Sequence, residues 1–275
     1  MDPIMTDHTV LHNGVRMPWL GLGVYKLDDG EEVRGAVSTA LEAGYRSIDT
    51  AAMYGNETGV GEAIRISGIP RDQVFVTTKI WNDDHGYDRA LAAFEESRQR
   101  LGLEYVDLLL IHWPVKERYV DTWRALEKLY NNGLVQAIGV SNFQPHHLER
   151  VMDAGSIVPM VNQVELHPLL TQKELLRYTH QHQIQLEAWS PLMRGALDID
   201  VLQEIGARHG KSPAQVILRW DVQNGVVVIP KSGHPERIRS NAAIFDFELT
   251  DEEMAQIDAL DTGKRFGPDP DNFDF

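Results

Sequence analysis

The sequence predicts an α/β fold, namely a (β/α)8 TIM barrel that takes up residues 1–275 as a single domain. Short apolar segments rich in β-branched residues recur from residue 17 onward, and amphipathic helical segments separate them. Eight such strand segments are present, which is the count of this barrel. Near-continuous apolar runs are typical of parallel strands buried on both faces, and the right-handed crossover rule leaves few other topologies.

The predicted strands share this apolar character, and several predicted helices end at a glycine that suits the C′ position. The strands are Trp19–Tyr25, Arg46–Asp49, Val74–Lys79, Val106–His112, Val135–Val140, Val161–Glu165, Gln185–Trp189 and Val226–Ile229. The helices include Glu31–Ala43, Arg89–Leu101 and Asp121–Tyr130, and the glycines are Gly44, Gly102, Gly133, Gly155 and Gly225.

Two segments lie outside this repeat. The dipeptide Asn13-Gly14 stands between two short apolar segments and is the strongest short signal for a β-hairpin. We expect this hairpin to plug the N-terminal end of the barrel. Near the other terminus, Thr250 precedes three acidic residues, which predicts an N-capped extra helix running to Leu260. An irregular tail follows over residues 263–275.

A doubly wound open sheet is the main alternative fold, and it requires a glycine-rich phosphate turn after its first strand. Gly21-Leu22-Gly23 lacks the third glycine of that turn. Gly59-Val60-Gly61 is another partial match, but it does not follow a predicted strand. Neither segment is therefore interpreted as a phosphate-binding turn.

Composition narrows the class of protein. A formal net charge of −15 argues against a general nucleic-acid or anionic-membrane surface. The absence of cysteine excludes disulfides and thiolate metal sites and is compatible with a reducing compartment. No apolar run approaches the ~20 residues of a membrane span, and the N-terminus, where Met5 is an alternative start, lacks a signal-peptide core. We expect a cytoplasmic monomer with no nucleic-acid or membrane partner.

Polar residues at the C-terminal ends of the predicted strands form the candidate catalytic group, because catalytic side chains of this fold gather at that end. Asp49 ends the second strand, Tyr54 follows in the loop, Lys79 ends the third strand and His112 ends the fourth. A carboxylate, a phenol, an ammonium and an imidazole are therefore expected to face one mouth.

This set suits general acid–base chemistry on a carbonyl. A free tyrosine has a pKa of ~10, and a neighbouring ammonium such as Lys79 lowers it toward the operating pH. Asp49 would keep Lys79 charged and aimed, and His112 would orient the carbonyl oxygen. Singly, each residue also has a structural interpretation: an ion pair, a core histidine or a packing tyrosine. All four at successive strand ends favour a functional one, although spacing alone leaves several reaction types open.

The sequence also resembles a known family. The segment Asp49–Glu57 is similar to the signature of the aldo-keto reductases, and the resemblance extends in order over nearly the whole chain, within the family toward the bacterial 2,5-diketo-D-gluconate reductases. The further matching motifs are Lys79–Asn82, His112–Pro114, Gly139–Phe143 and Asn162-Gln163. The resemblance implies that Tyr54 donates the proton, that Asp49 and Lys79 tune it, and that His112 orients the carbonyl. It also implies hydride transfer from a nicotinamide without a metal.

A cofactor site is predicted after the eighth strand, where phosphate sites of this fold are common at a helix N-terminus. Lys231, Ser232, His234 and Arg237 make a local cationic, hydrogen-bonding nest in an acidic protein. A solvated basic turn is the structural alternative. Relatives place the adenosine 2′-phosphate here, which implies NADPH.

The resemblance implies further contacts. Ser141, Asn142 and Gln163 would hold the nicotinamide carboxamide, and Trp189 would stack on its ring. The remaining cofactor candidates are Ser190 and Leu192 for the pyrophosphate, Arg194 as an added phosphate contact or only a surface charge, and Asn241 near the adenine. The substrate pocket would be walled by Tyr25, Trp81 and Trp113, with Phe143 and the tail residues Phe273 and Phe275 as further candidates. Trp19 is expected to pack in the core.

The combined prediction is an NADPH-dependent reductase of a small aldehyde, ketone, dicarbonyl or keto-sugar. Two other functions stay open at this point. One is a non-redox barrel enzyme, such as an isomerase or hydrolase, using Asp49 and His112. The other is a regulatory module that keeps the fold and the cofactor but turns over slowly.

Overall fold

The computed structural model describes residues 8–275, so Met5 lies outside the described residues. β1 (His8–Val10) and β2 (Arg16–Pro18) pair antiparallel, and eight further strands form one parallel sheet. These barrel strands are β3 (Leu22–Gly23), β4 (Ser47–Asp49), β5 (Phe75–Ile80), β6 (Val106–Ile111), β7 (Val135–Ser141), β8 (Val161–Glu165), β9 (Gln185–Trp189) and β10 (Val227–Val228).

The sheet closes into the predicted (β/α)8 barrel. Each barrel strand pairs with the next in chain order, from β3 to β10. Parallel bridges between Leu20 and Val228 and between Gly23 and Lys231 join the first strand region to the last. β10 is shorter than the predicted Val226–Ile229, and Pro230, the residue after that segment, has no N–H to donate to the sheet.

Helices cover the outside of the barrel and bury one face against it. They are α1 (Glu31–Glu42), α2 (Glu57–Ile66), α3 (Tyr87–Leu101), α4 (Tyr119–Asn131), α5 (Pro145–Ala154), α6 (Lys173–Gln181), α7 (Asp200–His209), α8 (Pro213–Gln223), α9 (Pro235–Ala242) and α10 (Asp251–Asp258). The predicted capping residue of the last helix is confirmed, since the Thr250 side chain accepts a hydrogen bond from the backbone N–H of Glu253. Among residues 8–275, no helix is both long and apolar enough to cross a lipid bilayer.

The N-terminal hairpin lies against the starts of the barrel strands, as predicted. Thr9 Oγ1 donates a hydrogen bond to Gln185 Oε1 at the first residue of β9. Asn13 Nδ2 donates to the carbonyl of Gln136, the second residue of β7, at 3.0 Å. Trp19 packs against the core beside this end, in line with its predicted structural role.

Close backbone approach explains glycines in both of the rejected phosphate-turn motifs. A Cβ on Gly23 would lie 2.8 Å from the carbonyl oxygen of Ile229, where the barrel closes. A Cβ on Gly61 would lie within 1.9 Å of the Leu101 carbonyl oxygen, where α2 meets α3. Gly155 differs from the other four predicted C′ glycines, because its φ is −100° whereas theirs are positive. There the ring of Trp123 leaves no room for a Cβ.

Candidate active site

The four predicted catalytic residues meet at the C-terminal ends of β4, β5 and β6. Asp49 is the last residue of β4, and Tyr54 lies in the single-turn helix that follows it. Lys79 is on β5 and His112 follows β6 directly. Lys79 is fully buried and Asp49 and His112 are nearly so. The Tyr54 side chain is half-buried and packs its ring 5.7 Å from that of His112.

The ammonium of Lys79 is held by three acceptors. Its Nζ donates to Asp49 Oδ1 at 2.6 Å, to the Thr50 carbonyl at 2.9 Å and to Tyr54 Oη at 3.3 Å. Because an ammonium has three hydrogens, this set uses all of them. The phenol oxygen is therefore an acceptor toward Lys79, which leaves its own hydrogen for another partner.

The electrostatic balance at Tyr54 differs from the sequence-based expectation. Burial raises the pKa of Tyr54 to about 12, and the lowering effect of Lys79 is smaller than this. The expected direction of the Lys79 effect is present, but the expected net lowering is wrong, since enclosure of the phenol dominates. At neutral pH the phenol is therefore fully protonated.

The Asp49–Lys79 pair is buried on both sides of a 2.6 Å contact. Burial raises the pKa of the Asp49 carboxyl above its ordinary value, against the opposing effects of Lys79 and Gln163. For Lys79 burial lowers the pKa, but Asp49 and Tyr54 outweigh it and the pKa is raised. A buried pair of this kind depends on both partners being present.

His112 is neutral at physiological pH. Burial, together with the charge of Lys79, lowers the pKa of His112 well below its ordinary value. Its Nδ1 is buried and has no hydrogen-bond partner among residues 8–275. A neutral imidazole has one N–H to donate, so this ring can hydrogen-bond an acceptor oxygen in the mouth.

The predicted carboxamide-binding residues line the next part of the mouth. Asn142, in a left-handed backbone conformation after β7, donates from Nδ2 to the His112 carbonyl and to Ser141 Oγ. Its Oδ1 accepts a hydrogen bond from Trp189 Nε1 at 2.8 Å. Gln163 uses its Nε2 within the barrel, toward Asp49 Oδ2 and Glu187 Oε2. The carboxamide of a nicotinamide can therefore hydrogen-bond only to the side-chain amide oxygen of Gln163, Oε1.

Two loops carry the remaining cofactor candidates. After β9, Ser190, Leu192 and Arg194 lie in a tight double turn in which Ser190 and Arg194 have positive φ. After β10, Ser232 is buried and accepts a hydrogen bond from the backbone N–H of His234, the residue that precedes α9.

The two cations of this second loop, Lys231 and Arg237, and the imidazole of His234 are free to meet an anion. Lys231, His234 and Arg237 are exposed and form no salt bridge within the described part of the chain. Arg237 is in the first turn of α9, whose N-terminus favours negative charge. Asn241, on the same helix, is buried.

The structure places two of the three predicted substrate-pocket residues, Tyr25 and Trp81, against the catalytic group. The Tyr25 ring lies 5.0 Å from that of Tyr54, and the Trp81 ring lies 5.1 Å from that of His112. Trp113 contacts the tail, with its ring 5.1 Å from Phe273 and 5.2 Å from Phe275.

Comparison with known proteins identifies the family. Residues 19–262 match the Aldo/keto reductase family. Glyoxal reductase of Bacillus subtilis is 59% identical over 276 residues, covering 100% of both chains. The chain belongs to the aldo/keto reductase family. This membership confirms the resemblance found in the sequence and makes the chain an oxidoreductase.

Solved structures of aldo-keto reductases share the whole fold. An enzyme from a Medee basin deep-sea metagenome library, MGS-M4, superposes with a TM-score of 0.95 at 46% identity, covering 97% of this chain and 100% of the other. A mutant of Gox0644 in complex with NADPH superposes with a TM-score of 0.93 at 43% identity, covering 98% and 99%. The barrel prediction is confirmed by this likeness.

The tail of this aldo-keto reductase crosses the mouth. The Phe275 ring stacks on Trp81 at 6.1 Å, and its carbonyl oxygen accepts a hydrogen bond from Asn82 Nδ2. The candidate tail aromatics therefore pack against Trp81 and Trp113, the two tryptophans predicted to wall the pocket. Phe143 does not, because it is fully buried against Tyr119. Its candidacy as a wall residue was wrong, since its side chain points into the core.

A buried carboxylate fixes the tail, and sequence reasoning missed it. Glu165, the last residue of β8, accepts hydrogen bonds from the backbone N–H groups of Phe266 and Gly267 at 2.6 and 3.0 Å. Although burial raises its pKa, these bonds and His167 lower the pKa of Glu165 below its ordinary value. An acidic residue ending an apolar strand was the available signal, but its partner lies about a hundred residues away in sequence.

One group of side chains among residues 8–275 has metal-compatible spacing: His146, His147 and Asp271. His147 Nδ1 accepts a hydrogen bond from the backbone N–H of Gln144. In the neutral imidazole the hydrogen is then on Nε2, which lies 3.5 Å from Asp271 Oδ1. This arrangement suits a hydrogen-bonded tail contact better than metal ligation, which would need a lone pair on Nε2.

Proposed function

We propose that this chain is an NADPH-dependent reductase of aldehydes and ketones, including dicarbonyls and keto-sugars, with Tyr54 as the proton donor. Membership in the aldo/keto reductase family supports the reaction class, and the likeness to a glyoxal reductase supports a small dicarbonyl as substrate. We also propose a single catalytic domain that acts as a cytoplasmic monomer.

The observation that carries the proposal is the triple hydrogen bonding of Lys79. Since Lys79 donates to Tyr54 Oη, the phenol hydrogen points away from the lysine and is available to a carbonyl oxygen. As negative charge develops on that oxygen, the ammonium 3.3 Å behind the phenol stabilises the phenolate that is left. Asp49 keeps the ammonium charged and in place.

His112 complements Tyr54 in this proposal. Its neutral ring, edge-on to both Tyr54 and Trp81, can donate a hydrogen bond to the same carbonyl oxygen. Two donors aimed at one oxygen fix its orientation and stabilise developing charge. A protonated imidazole would place a second cation beside Lys79, which burial opposes.

The residues of the cofactor site fit NADPH. When bound, NADPH supplies the hydride. Lys231 and Arg237 offer unpaired cations to its 2′-phosphate, and the N-terminus of α9 adds partial positive charge. The nicotinamide carboxamide would be positioned by Asn142, Ser141 and the side-chain amide oxygen of Gln163. Trp189 would lie against the nicotinamide ring.

A direct test is a panel of glyoxal, methylglyoxal and keto-sugars assayed with NADPH and with NADH. Tyr54→Phe keeps the ring but removes the hydrogen, so we expect kcat to fall about 100- to 10,000-fold with NADPH affinity unchanged. The matched control is Tyr130→Phe, which removes a hydroxyl that accepts a hydrogen bond from Asn13, at the opposite end of the barrel. Substantial turnover by Tyr54→Phe would remove Tyr54 from the mechanism.

The same experiments separate the rival functions. A non-redox barrel enzyme would not bind NADPH in a fluorescence titration. A regulatory module would bind NADPH but turn over slowly with every carbonyl of the panel.

A further inference from the structure

The barrel interior holds a carboxyl group that has no role in the mechanism described so far. Glu187 lies on β9, two residues before Trp189, and its side chain is fully buried. Oε2 accepts a hydrogen bond from Gln163 Nε2 at 2.8 Å. Oε1 has no hydrogen-bond partner within residues 8–275.

Gln163 connects this carboxyl to the catalytic group. The same Nε2 donates to Asp49 Oδ2 at 2.7 Å, and Asp49 Oδ1 holds Lys79 at 2.6 Å. Lys79 in turn donates to Tyr54. Because both hydrogens of the amide are used, the position of Asp49 depends on Glu187 as well as on Lys79.

The contacts of Asp49 and Glu187 indicate which of the two carboxyl groups carries the negative charge. Asp49 touches an ammonium, whereas Glu187 touches only a neutral amide, so the negative charge is more stable on Asp49. Asp49 and Lys79 are the ionisable groups that act on Glu187, while β10 offers it the apolar neighbour Val227. Burial, and after it the charge of Asp49, raises the pKa of Glu187 to about 8.

We propose, building on the reductase function proposed above, that Glu187 is a positioning residue for proton transfer at Tyr54 and that it works as an uncharged carboxylic acid. In that form it holds Gln163, and through Gln163 it fixes Asp49 and the ammonium. When it ionises, its charge offsets the field of Lys79 at Tyr54. The phenol then becomes a weaker acid, and reduction slows.

The alkaline pH profile tests this role. Wild-type kcat should fall above about pH 8, whereas Tyr54, with a pKa of about 12, titrates far outside that range. Glu187→Gln can still accept the hydrogen bond from Gln163 but cannot ionise. We expect it to match wild-type kcat at neutral pH and to lack the fall, which in the wild type reaches up to about tenfold per pH unit.

A second variant tests the hydrogen bond itself. Glu187→Leu keeps the apolar volume but leaves Gln163 with an unused N–H, so Asp49 loses part of its support. We expect kcat at neutral pH to fall about tenfold while KM changes little, because the loss affects proton transfer and not substrate binding. Restoration of kcat by Gln but not by Leu identifies hydrogen bonding, rather than packing, as the cause.

Thermal unfolding gives a readout that is independent of activity. The pKa of Glu187 is raised above the ~4.3 of an unfolded carboxyl, so between these values the folded protein holds a proton that the unfolded chain has released. The contribution of Glu187 to wild-type stability therefore falls as pH rises through this window and levels off above about pH 8. The Tm of Glu187→Gln minus the Tm of the wild type should therefore increase with pH across this window and stay constant above it.

The control is another buried carboxyl, remote from the mouth. Asp221 on α8 is fully buried, and neither of its carboxyl oxygens has a partner within the described chain. Burial raises its pKa well above the ordinary value. Asp221→Asn should shift Tm against pH in the same direction but keep the wild-type fall in kcat.

Each outcome bears on one statement. If the wild type reduces no carbonyl, the proposed function fails, and the Tm comparison still reports whether Glu187 is protonated. If Glu187→Gln keeps the wild-type alkaline fall, the positioning role is overturned although the reductase function stands. A Tm difference that does not vary with pH would show that Glu187 is already ionised at neutral pH.

Discussion

The two ends of this barrel use polar groups in different ways. At the N-terminal end, the hairpin is fixed by neutral hydrogen bonds from Thr9 to the first residue of β9 and from Asn13 to the second residue of β7. At the C-terminal end, Asp49, Lys79 and Glu187 place ionisable groups inside the barrel. Burying charge is costly unless it is paired, so this end is stabilised less efficiently. From this difference we infer that the hairpin end contributes mainly to stability, whereas the mouth carries the proposed chemistry.

The largest expected effect is that of replacing Lys79, and it tests whether the mouth is built for chemistry rather than for stability. In Lys79→Met, kcat should fall about 100- to 10,000-fold, because the phenol of Tyr54 loses its stabilising ammonium. The variant should also lose about 3–5 kcal/mol of stability, since Asp49 is left as a buried unpaired charge. The measurements are steady-state kcat at neutral pH and thermal unfolding.

A double variant separates the two effects. Adding Asp49→Asn to Lys79→Met removes the stranded charge, so stability should recover in part while kcat stays low. An unchanged kcat in Lys79→Met would mean that the Asp49–Lys79 pair is structural. The polar groups of the mouth would then contribute to stability, as those of the hairpin end do.

The second effect concerns cofactor choice at the rim of the mouth. Arg237→Ala should weaken NADPH binding roughly ten- to a hundredfold, because a hydrogen bond to a charged partner contributes about 1.5–3 kcal/mol. NADH lacks the 2′-phosphate, so its affinity should not change. The loss should shrink at high salt, because an exposed ion pair is screened. Fluorescence titration with both nicotinamides at two ionic strengths measures it.

Arg239→Ala is the matched control, since Arg239 is exposed near the end of the same helix, α9. Equal losses for NADPH and NADH in Arg237→Ala would show that Arg237 supports the loop or the pyrophosphate instead of the 2′-phosphate.

The fold was predictable because its signals are local. Eight apolar strand segments, the Asn13-Gly14 turn and the Thr250 cap each depend on a few adjacent residues, and all are found in the structure. The meeting of Asp49, Tyr54, Lys79 and His112 was predictable for a related reason. In a parallel barrel, residues at the C-terminal ends of successive strands must be neighbours.

The features that sequence did not reveal depend on distant contacts. Glu187 is one polar residue on a strand, and only barrel closure brings it to Gln163 and Asp49. The net pKa of Tyr54 depends on how deeply its hydroxyl is enclosed, which a list of neighbouring charges does not include. The docking of the tail on Glu165 likewise requires contacts that no local pattern encodes.

The third effect concerns the tail. Deleting residues 273–275 removes two phenylalanine rings from the wall formed with Trp81 and Trp113. We expect KM for an aromatic dicarbonyl such as phenylglyoxal to rise severalfold, because apolar contact area is lost. KM for glyoxal, which is too small to reach these rings, should stay within about twofold.

Asp274→Ala is the control for the tail, because Asp274 is exposed. Tryptophan emission of the deletion variant should shift to longer wavelength as Trp81 and Trp113 meet water. Equal changes in KM for both substrates would show that the tail acts on closure of the mouth rather than on the aromatic wall.

The smallest effect is expected at the hairpin and tests the other half of the comparison. Asn13 donates from Nδ2 to the Gln136 carbonyl at 3.0 Å and accepts from the Val15 N–H through Oδ1. These bonds are partly exposed, so Asn13→Ala should cost about 0.5–1.5 kcal/mol of stability. In a chain of this size that is a fall in Tm of roughly 1–5 °C. Because no ionisable group of the mouth contacts the hairpin, kcat, KM and NADPH affinity should stay at wild-type values. Asn132→Ala, an exposed change at the end of α4, controls for loss of an asparagine. A fall in kcat without a fall in Tm would mean that the hairpin acts on the mouth through the barrel, and the division of labour between the two ends would not hold.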